Sequence, residues 1–577
     1  MNTDELLDII CKSLKSILGD KACFNVLFNN DVVFSGGLGI TSYEYMQLIF
    51  NLEKDYNLAF DNEIWEYNKI ITIGDLMSYI HTNKICPDCD RYINNTTFLF
   101  HKVIEYNSEH IPNKVAIISD FSDGITYKQL WLFVKDGIAE LEEQGLHYND
   151  SILFYLPNSL DFIVNYFACA YLGLRIILCD IKLIHELIYI INENNVTSIL
   201  VDDKTIENIR LLKENHILCC NILRANSYIL KSDRTDIALR NYKIDENDIS
   251  IILYTSGSEG RPKGVANSYK NITESIKNYC RTIPFNKSDK FIAAIPFYHS
   301  YGMGSCLLAG LASGSTLIIM SSFQPEKVLN VIEKMKATVF HGVPYMYKML
   351  NYCLSKAETD LSSLRLCINA SSKLNLEDAK KFYDLTGIII HQEYGSTETG
   401  TIAFYRNYNF ITNLDCVGEP LLGVVVNICN PDDKGIGKIA ITSNAIALGY
   451  INTLDFSNVN YVTGDIGYFD KYGRIILLGR EKRFINITGI KINAYEVENV
   501  ICNHPKVKMA YVFGIKNSYF GEAIKALVVK EDSSLSKEEL ITYCKSKLTS
   551  YKVPTQIEWC DQLDLTQLGK ATMNNQY

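Results

Sequence analysis

No stretch of the 577 residues stays apolar for the roughly 18 positions that a membrane crossing takes. Positive charge is in short supply: 56 Lys and Arg stand against 66 Asp and Glu, a net charge of −10. No basic field is therefore present to favour a nucleic acid partner. The first residues, Met1-Asn2-Thr3-Asp4-Glu5, lack the basic-then-apolar layout of a secretion signal. Cysteine is plentiful, but the 17 residues lack a pairing plan: the number is odd, and Cys219 and Cys220 are adjacent. Cys86-Pro87-Asp88-Cys89 has metal or redox spacing, yet no second pair and no histidine pair accompanies it, so it reads as two thiols in a linker. These absences set the expectation of a cytoplasmic protein with reduced thiols, no membrane span and no nucleic acid partner.

What is present is ordinary globular material, 47% hydrophobic and 21% charged, with length for roughly three or four domains. One stretch departs from the ordinary. The apolar run Ile249–Leu253 reads as a buried strand and leads into Tyr254-Thr255-Ser256-Gly257-Ser258-Glu259-Gly260-Arg261-Pro262-Lys263-Gly264. Glycines there let backbone N–H groups approach a ligand, hydroxyls add donors and Lys263 adds a point charge. Such a loop suits a polyphosphate. It is not the G-x-x-x-x-G-K-[ST] loop, because Gly264 follows Lys263.

The string resembles the phosphate loop of the adenylate-forming enzymes: acyl-CoA synthetases, adenylation domains of nonribosomal peptide synthetases, and luciferases. The resemblance extends over residues 96–577. Glu393-Tyr394-Gly395-Ser396-Thr397-Glu398-Thr399 is its second strong element, followed by Tyr461-Val462-Thr463-Gly464-Asp465, Gly479-Arg480-Glu481-Lys482 and Thr566-Gln567-Leu568-Gly569-Lys570. It implies ATP and magnesium as cofactors and assigns roles position by position. Thr255, Ser256, Gly257, Ser258, Lys263 and Thr397 hold phosphate. Ser371, Glu393, Tyr394, Gly395, Asp465 and Arg480 hold adenine and ribose. Glu398 binds magnesium, as a hard oxygen ligand suits. His299 lies beside the acyl carboxylate, His341 and Gly342 line the acyl pocket, Lys482 is the hinge, Gly489 borders the thiol tunnel, and Lys570 contacts the reacting carboxylate and α-phosphate.

Two further readings bear on substrate and acceptor. No acidic residue occurs between Phe291 and Phe323, where relatives that take α-amino acids carry an aspartate. A buried unpaired ammonium is costly, so an aryl or fatty acid without an α-amino group is expected. At the N-terminus, Leu6, Leu7, Ile10, Leu14 and Leu18 repeat at helical spacing, as do Tyr45, Leu48, Ile49 and Leu52 after Ser42. Ser42 stands where an N-cap would. With Leu38-Gly39-Ile40-Thr41-Ser42-Tyr43, these residues resemble an acyl or peptidyl carrier domain whose serine carries 4′-phosphopantetheine.

The expected fold is multidomain. A small all-α carrier-like bundle (1–83) and a linker (84–95) precede a large α/β adenylating domain (96–481) and a small mobile α+β domain (482–577). Strand and helix alternate at α/β spacing after residue 96, so a mainly parallel sheet is expected. The expected partners are a small carboxylic acid, a carrier in cis or in trans, a phosphopantetheinyl transferase and a downstream synthase or synthetase. The expected reaction is ATP-dependent activation of the acid as an acyl-adenylate and transfer to the phosphopantetheine thiol of the carrier; free coenzyme A as acceptor, amino-acid adenylation and a non-catalytic nucleotide-binding module stay open as alternatives. Treatment with a promiscuous phosphopantetheinyl transferase should raise the intact mass by one phosphopantetheine, and Ser42→Ala should prevent it; a shift that persists would place the arm elsewhere.

Overall fold

The computed structural model describes residues 99–572 apart from 120–123, 184–185, 215–220, 226–242, 256–261, 284, 358, 406–414, 457–459, 472, 488–489, 518–520 and 566–570, and a few helical positions between Ile10 and Leu76. Among those early positions Ile10, Leu14, Tyr45, Leu48, Ile49 and Leu52 are helical and buried, on the faces their spacing predicts. Ser42 lies outside the described residues.

Two sheets dominate the large α/β part. In the seven-stranded sheet, Ser151–Tyr155, Arg175–Leu178, Ser198–Val201, Asn221–Arg224 and Ile249–Thr255 run parallel. Between them lie helices started by local signals. Ser159 caps Leu160–Leu172 by accepting from Phe162 N–H, and left-handed Gly173 ends that helix. Thr126 and Gln129 form a capping box for Tyr127–Glu143. Ser268 and Asn271 do the same for Tyr269–Thr282. Leu160–Leu172 is buried nearly all round, as its continuous apolar sequence dictates. A single apolar cluster joins it to both sheets, from Ile152 and Ile176 on one to Phe291 and Leu317 on the other.

The expectation of one mainly parallel sheet is corrected. Lys263–Ser268 pairs antiparallel with Ile249–Thr255, because the seven intervening residues 256–262 are too few for a parallel crossover. The phosphate loop is thus the loop of a hairpin, not a strand-to-helix turn. The thirteen-stranded sheet is likewise mixed. Val115–Ser119, Thr316–Ile319, Lys290–Ala293, Val339–Gly342, Leu366–Asn369 and Ile390–Ser396 are parallel, and the strands from Gly400 to Arg480 add antiparallel, except Gly449–Tyr450, which pairs with Lys263–Ser268 in the seven-stranded sheet.

That antiparallel half is curled. Three strands separate Ile390–Ser396 from Tyr461–Phe469 in sheet order. A flat sheet would hold them roughly 19 Å apart at about 4.8 Å per strand, yet the Tyr394 hydroxyl lies 2.7 Å from Asp465 Oδ2. Register shifts at Tyr394/Gly395, Cys416/Gly418 and Ile466/Gly467 supply the bends.

The small C-terminal α+β domain has its own core, from Ile485 and Val497 to Leu540 and Ile557. Its long antiparallel pair, Val507–Asn517 and Gly521–Lys530, is flanked by the Phe484–Ile487/Ile490–Asn493 hairpin and by Gln556–Trp559. Among the described residues every cysteine is a free thiol, and no helix is long and apolar enough to cross a membrane.

One side chain ties the first sheet's loop to the second sheet. Buried Asn158 donates to the carbonyls of Ala293 (3.2 Å) and Ile295 (2.8 Å) and accepts from Phe297 N–H (2.8 Å). It thereby fixes the segment that leads into His299. Asn158→Ala should cost about 1–3 kcal/mol by stranding buried backbone groups. The expected outcome is a melting temperature lowered by several degrees; an unchanged melting curve would contradict the assignment.

Candidate active site

The polar groups singled out in the sequence fall into three neighbouring clusters. The first flanks the phosphate loop. Thr255 and Lys263 face each other across the hairpin, with Thr255 Oγ1 donating to the Lys263 carbonyl at 3.4 Å. The Lys263 ammonium sits 5.3 Å from the centre of the Tyr450 ring, within cation–π range. The Tyr450 hydroxyl donates to Glu398 Oε1 at 3.1 Å. Burial and the Glu398 carboxylate push the Tyr450 phenol up to about 12, so it stays a donor at neutral pH. Glu193 braces the outer side, accepting from Tyr254, Tyr189 and Asn452. A cleft of about 450 Å³ opens there between Glu193, Pro262, Lys263 and Tyr450. Ser256, Gly257 and Ser258 lie outside the described residues.

The second cluster centres on Asp465. Its carboxylate accepts from Tyr394 at 2.7 Å and from Arg480 Nε at 3.1 Å. Asp465 and Arg480 are direct cross-strand partners, so register alone brings the pair together. Asp465 sits within its strand, Tyr461–Phe469. Arg480 ends the next strand, and the short helical turn Glu481–Arg483 that contains Lys482 follows at once. The turn is held to the large domain by Glu481, which pairs with Lys438 at 2.9 Å. Ser371 adopts a left-handed backbone, φ +73°. Its neighbour Asn369 donates to Ser372 O at 3.0 Å and to Gln392 Oε1 at 2.9 Å.

The third cluster corrects the sequence reading. Glu393, expected on adenine or ribose, is buried and turned inward. It accepts from Tyr279 at 2.7 Å, Ser305 at 2.7 Å and Thr401 at 2.7 Å. Tyr279 also lies 3.1 Å from His341 Nε2. His341 is enclosed by Phe291, Tyr301 and Tyr279, and burial lowers its pKa to about 3, so the ring is neutral. Tyr394 is nearly covered as well, 8% exposed, with its hydroxyl committed to Asp465. Gly342 admits no larger residue, since a Cβ would come within 2.8 Å of Phe340 and 2.9 Å of Tyr347.

A π-helix, Tyr301–Leu308, forms the wall opposite Glu393. Such helices are rare and cluster at functional sites. Half-buried His299 precedes it, and Gly302 lets it start: a Cβ there would lie 2.2 Å from the Pro296 carbonyl. Ser300 reaches Thr397 at 3.2 Å. Gly395 is exposed between Thr397 and Glu393. Gly489 and Lys570 lie outside the described residues, Lys570 directly before the strand Ala571–Thr572 that pairs with Asp564–Leu565.

Tyr450, Asn158 and the donors around Glu393 were not legible as site residues. Asn158 stands in a Pro-Asn-Ser loop that carries no chemical signature, and Tyr450 is joined to Glu398 only by the fold.

With fold and site described, the class is that of adenylate-forming enzymes. The chain belongs to the family described as "AMP-binding enzyme", whose profile matches residues 104–451, and residues 496–570 match "AMP-binding enzyme C-terminal domain". It is 28% identical over 473 residues to the 2-succinylbenzoate–CoA ligase of Bacillus licheniformis, covering 80% of this chain and 96% of that protein. It is 26% identical over 460 residues to the feruloyl-CoA synthase of an Amycolatopsis species, covering 77% and 92%. Among solved structures, ATP-bound MatB from Rhodopseudomonas palustris shares the fold at TM-score 0.72 and 23% identity, covering 82% and 97% of the two chains. MenE from Bacillus subtilis, in complex with ATP and a magnesium ion, does so at 0.72 and 23%, covering 82% and 98%.

The Glu393 environment has a measurable consequence. Burial raises its pKa above the ordinary 4.5, although its three hydroxyl donors oppose the shift. A folded-state pKa above the unfolded one stabilises below pH 4.5, and that contribution is lost as pH rises through the folded value. Glu393→Gln removes the titration. The wild-type melting temperature should therefore fall relative to Glu393→Gln as pH is raised from 4.5; a constant difference would contradict the burial argument.

Proposed function

We propose that this chain activates a carboxylic acid with ATP as an acyl-adenylate and then passes the acyl group to the thiol of free coenzyme A. The observation that carries the reading is the convergence of Lys263, Tyr450 and Glu398 on one side of the site and Tyr394, Asp465 and Arg480 on the other, in a chain whose matched relatives are named CoA ligases.

The chemistry follows from charge and position. Hairpin residues 255–263 cradle the phosphates, Lys263 offsetting their charge, with Thr397 adding a hydroxyl. Asp465 and Arg480 hold the ribose. Glu398 fits magnesium's habit of taking one or two protein carboxylates with nucleotide phosphates; among the described residues no cluster of three acidic, histidine or cysteine ligands competes for the ion. Bound there, magnesium would neutralise phosphate charge. The substrate carboxylate is already anionic, so no protein nucleophile is required. It lies beside His299, with His341 and Gly342 along the acyl side, and attacks the α-phosphorus as pyrophosphate leaves. Lys570 supplies positive charge at that phosphorus. The division of the chain at 481/482, a rotation of the small domain about Lys482 and a thiol path beside Gly489 complete the scheme. The thiol attacks the acyl carbonyl, and AMP departs.

A second acceptor is favoured by one observation. The helical, buried positions between Ile10 and Leu76 fit a carrier-like bundle whose Ser42 would bear 4′-phosphopantetheine. A tethered thiol would sit at high effective concentration. Incubation with ATP, an acid panel and coenzyme A decides: acyl-CoA is expected, whereas acyl mass found only on the phosphopantetheinylated chain would favour the carrier.

Lys570→Ala should lower adenylation, read as ATP–pyrophosphate exchange, by at least a hundredfold. Thioester formation from a supplied acyl-adenylate should change little. Equal loss of both steps would contradict a role confined to the first.

A further inference from the structure

We propose that the acyl end of the site selects a carboxylic acid that carries a remote ammonium group, with Glu393 as its counter-ion. The inference rests on the acid-activating reading above and names the substrate class for it.

Glu393 is a buried acid with no cation beside it among the described residues. Its partners are three hydroxyls, on Tyr279, Ser305 and Thr401. A carboxylate has about four acceptor positions. Oε1 uses two of its own, on Ser305 and Thr401, while Oε2 uses one, on Tyr279. One acceptor position on Oε2 stays unfilled.

The histidine nearby does not supply the missing charge. Because the Tyr279 hydroxyl hydrogen goes to Glu393, His341 Nε2 must donate to the Tyr279 oxygen, and burial keeps that ring neutral. An unfilled acceptor and an uncompensated negative charge call for a group that only donates and is positive. An ammonium has three donors and no acceptor. A hydroxyl would bring no charge, and an alkyl chain would leave both demands unmet.

The spacing sets the length of the substrate. Ser300, at the start of the π-helix, and Ser305 within it are five positions apart, about one π turn, Ser300 against Thr397 and Ser305 against Glu393. Between them Gly304 faces open space: a Cβ built there would meet no atom within 4 Å. One helical turn is about 5 Å, so an acid whose carboxylate lies at the His299–Thr397 end reaches Glu393 through a few methylenes or a ring. An α-ammonium falls short. This agrees with the absence of an acidic residue between Phe291 and Phe323 and places the cation elsewhere on the substrate.

The experiment is ATP–pyrophosphate exchange by the full chain with isosteric pairs: 4-aminobutanoate against pentanoate, and 3-(aminomethyl)benzoate against 3-ethylbenzoate, with alanine as the α-amino control. The ammonium-bearing member of at least one pair should exceed its neutral partner at least tenfold in kcat/KM and should exceed alanine. Glu393→Gln should shrink that ratio at least tenfold. Should Glu393→Gln fail to fold, wild-type melting decides, with a larger upward shift expected from the ammonium-bearing acid. Exchange with neutral acids that equals or exceeds that of both ammonium partners overturns this inference and leaves acid activation standing. No exchange with any acid overturns the acid-activating reading and this inference with it.

Discussion

The Tyr394–Asp465 hydrogen bond is the constraint on which the site depends. It joins two strands that a flat sheet would keep far apart, so it exists only because the antiparallel half of the large sheet is bent at successive bulges. Once the sheet is curled, cross-strand register delivers Arg480 to the same carboxylate. The chain then leaves the large domain at the turn Glu481–Arg483. The nucleotide-side polar groups and the exit to the small domain are therefore fixed by one bend.

The opposite wall is built on different physics. There an acid is enclosed by hydroxyls and aromatic rings, with a neutral histidine alongside. Burying a carboxylate without a cation is expensive, and hydroxyl donors recover only part of the cost. Proteins keep such a group where something else supplies the charge. The nucleotide side, by contrast, is already paired: Asp465 has Arg480, and Glu398 has Tyr450 with Lys263 beyond it. On the function proposed above, this asymmetry separates a side for phosphate from a side for the acyl group.

Much of this was readable from residues alone. The helix starts at Thr126, Ser159 and Ser268 are set locally, because capping is an interaction between residues three apart. The phosphate loop, Glu398, Asp465 and Arg480 were visible in family order as a resemblance, and the family itself is matched over residues 104–451. The parallel-sheet expectation failed where loop length decides direction, at the seven residues between Ile249–Thr255 and Lys263–Ser268. Glu393 was misread for another reason. It adjoins Tyr394 in sequence, but successive strand residues point to opposite faces, so a motif that is contiguous in the chain serves two different walls. The pairing of Asn158 with the 293–297 segment, and of Tyr450 with Glu398, arises between distant segments and leaves no local trace.

The central claim is that the acid's own oxygen attacks the α-phosphorus. A carboxylic acid labelled with 18O in both carboxyl oxygens, turned over with ATP and thiol, tests it by mass spectrometry of the nucleotide product. The account predicts AMP carrying one 18O atom and a thioester retaining the other. Unlabelled AMP, or ADP and phosphate as products, would contradict it.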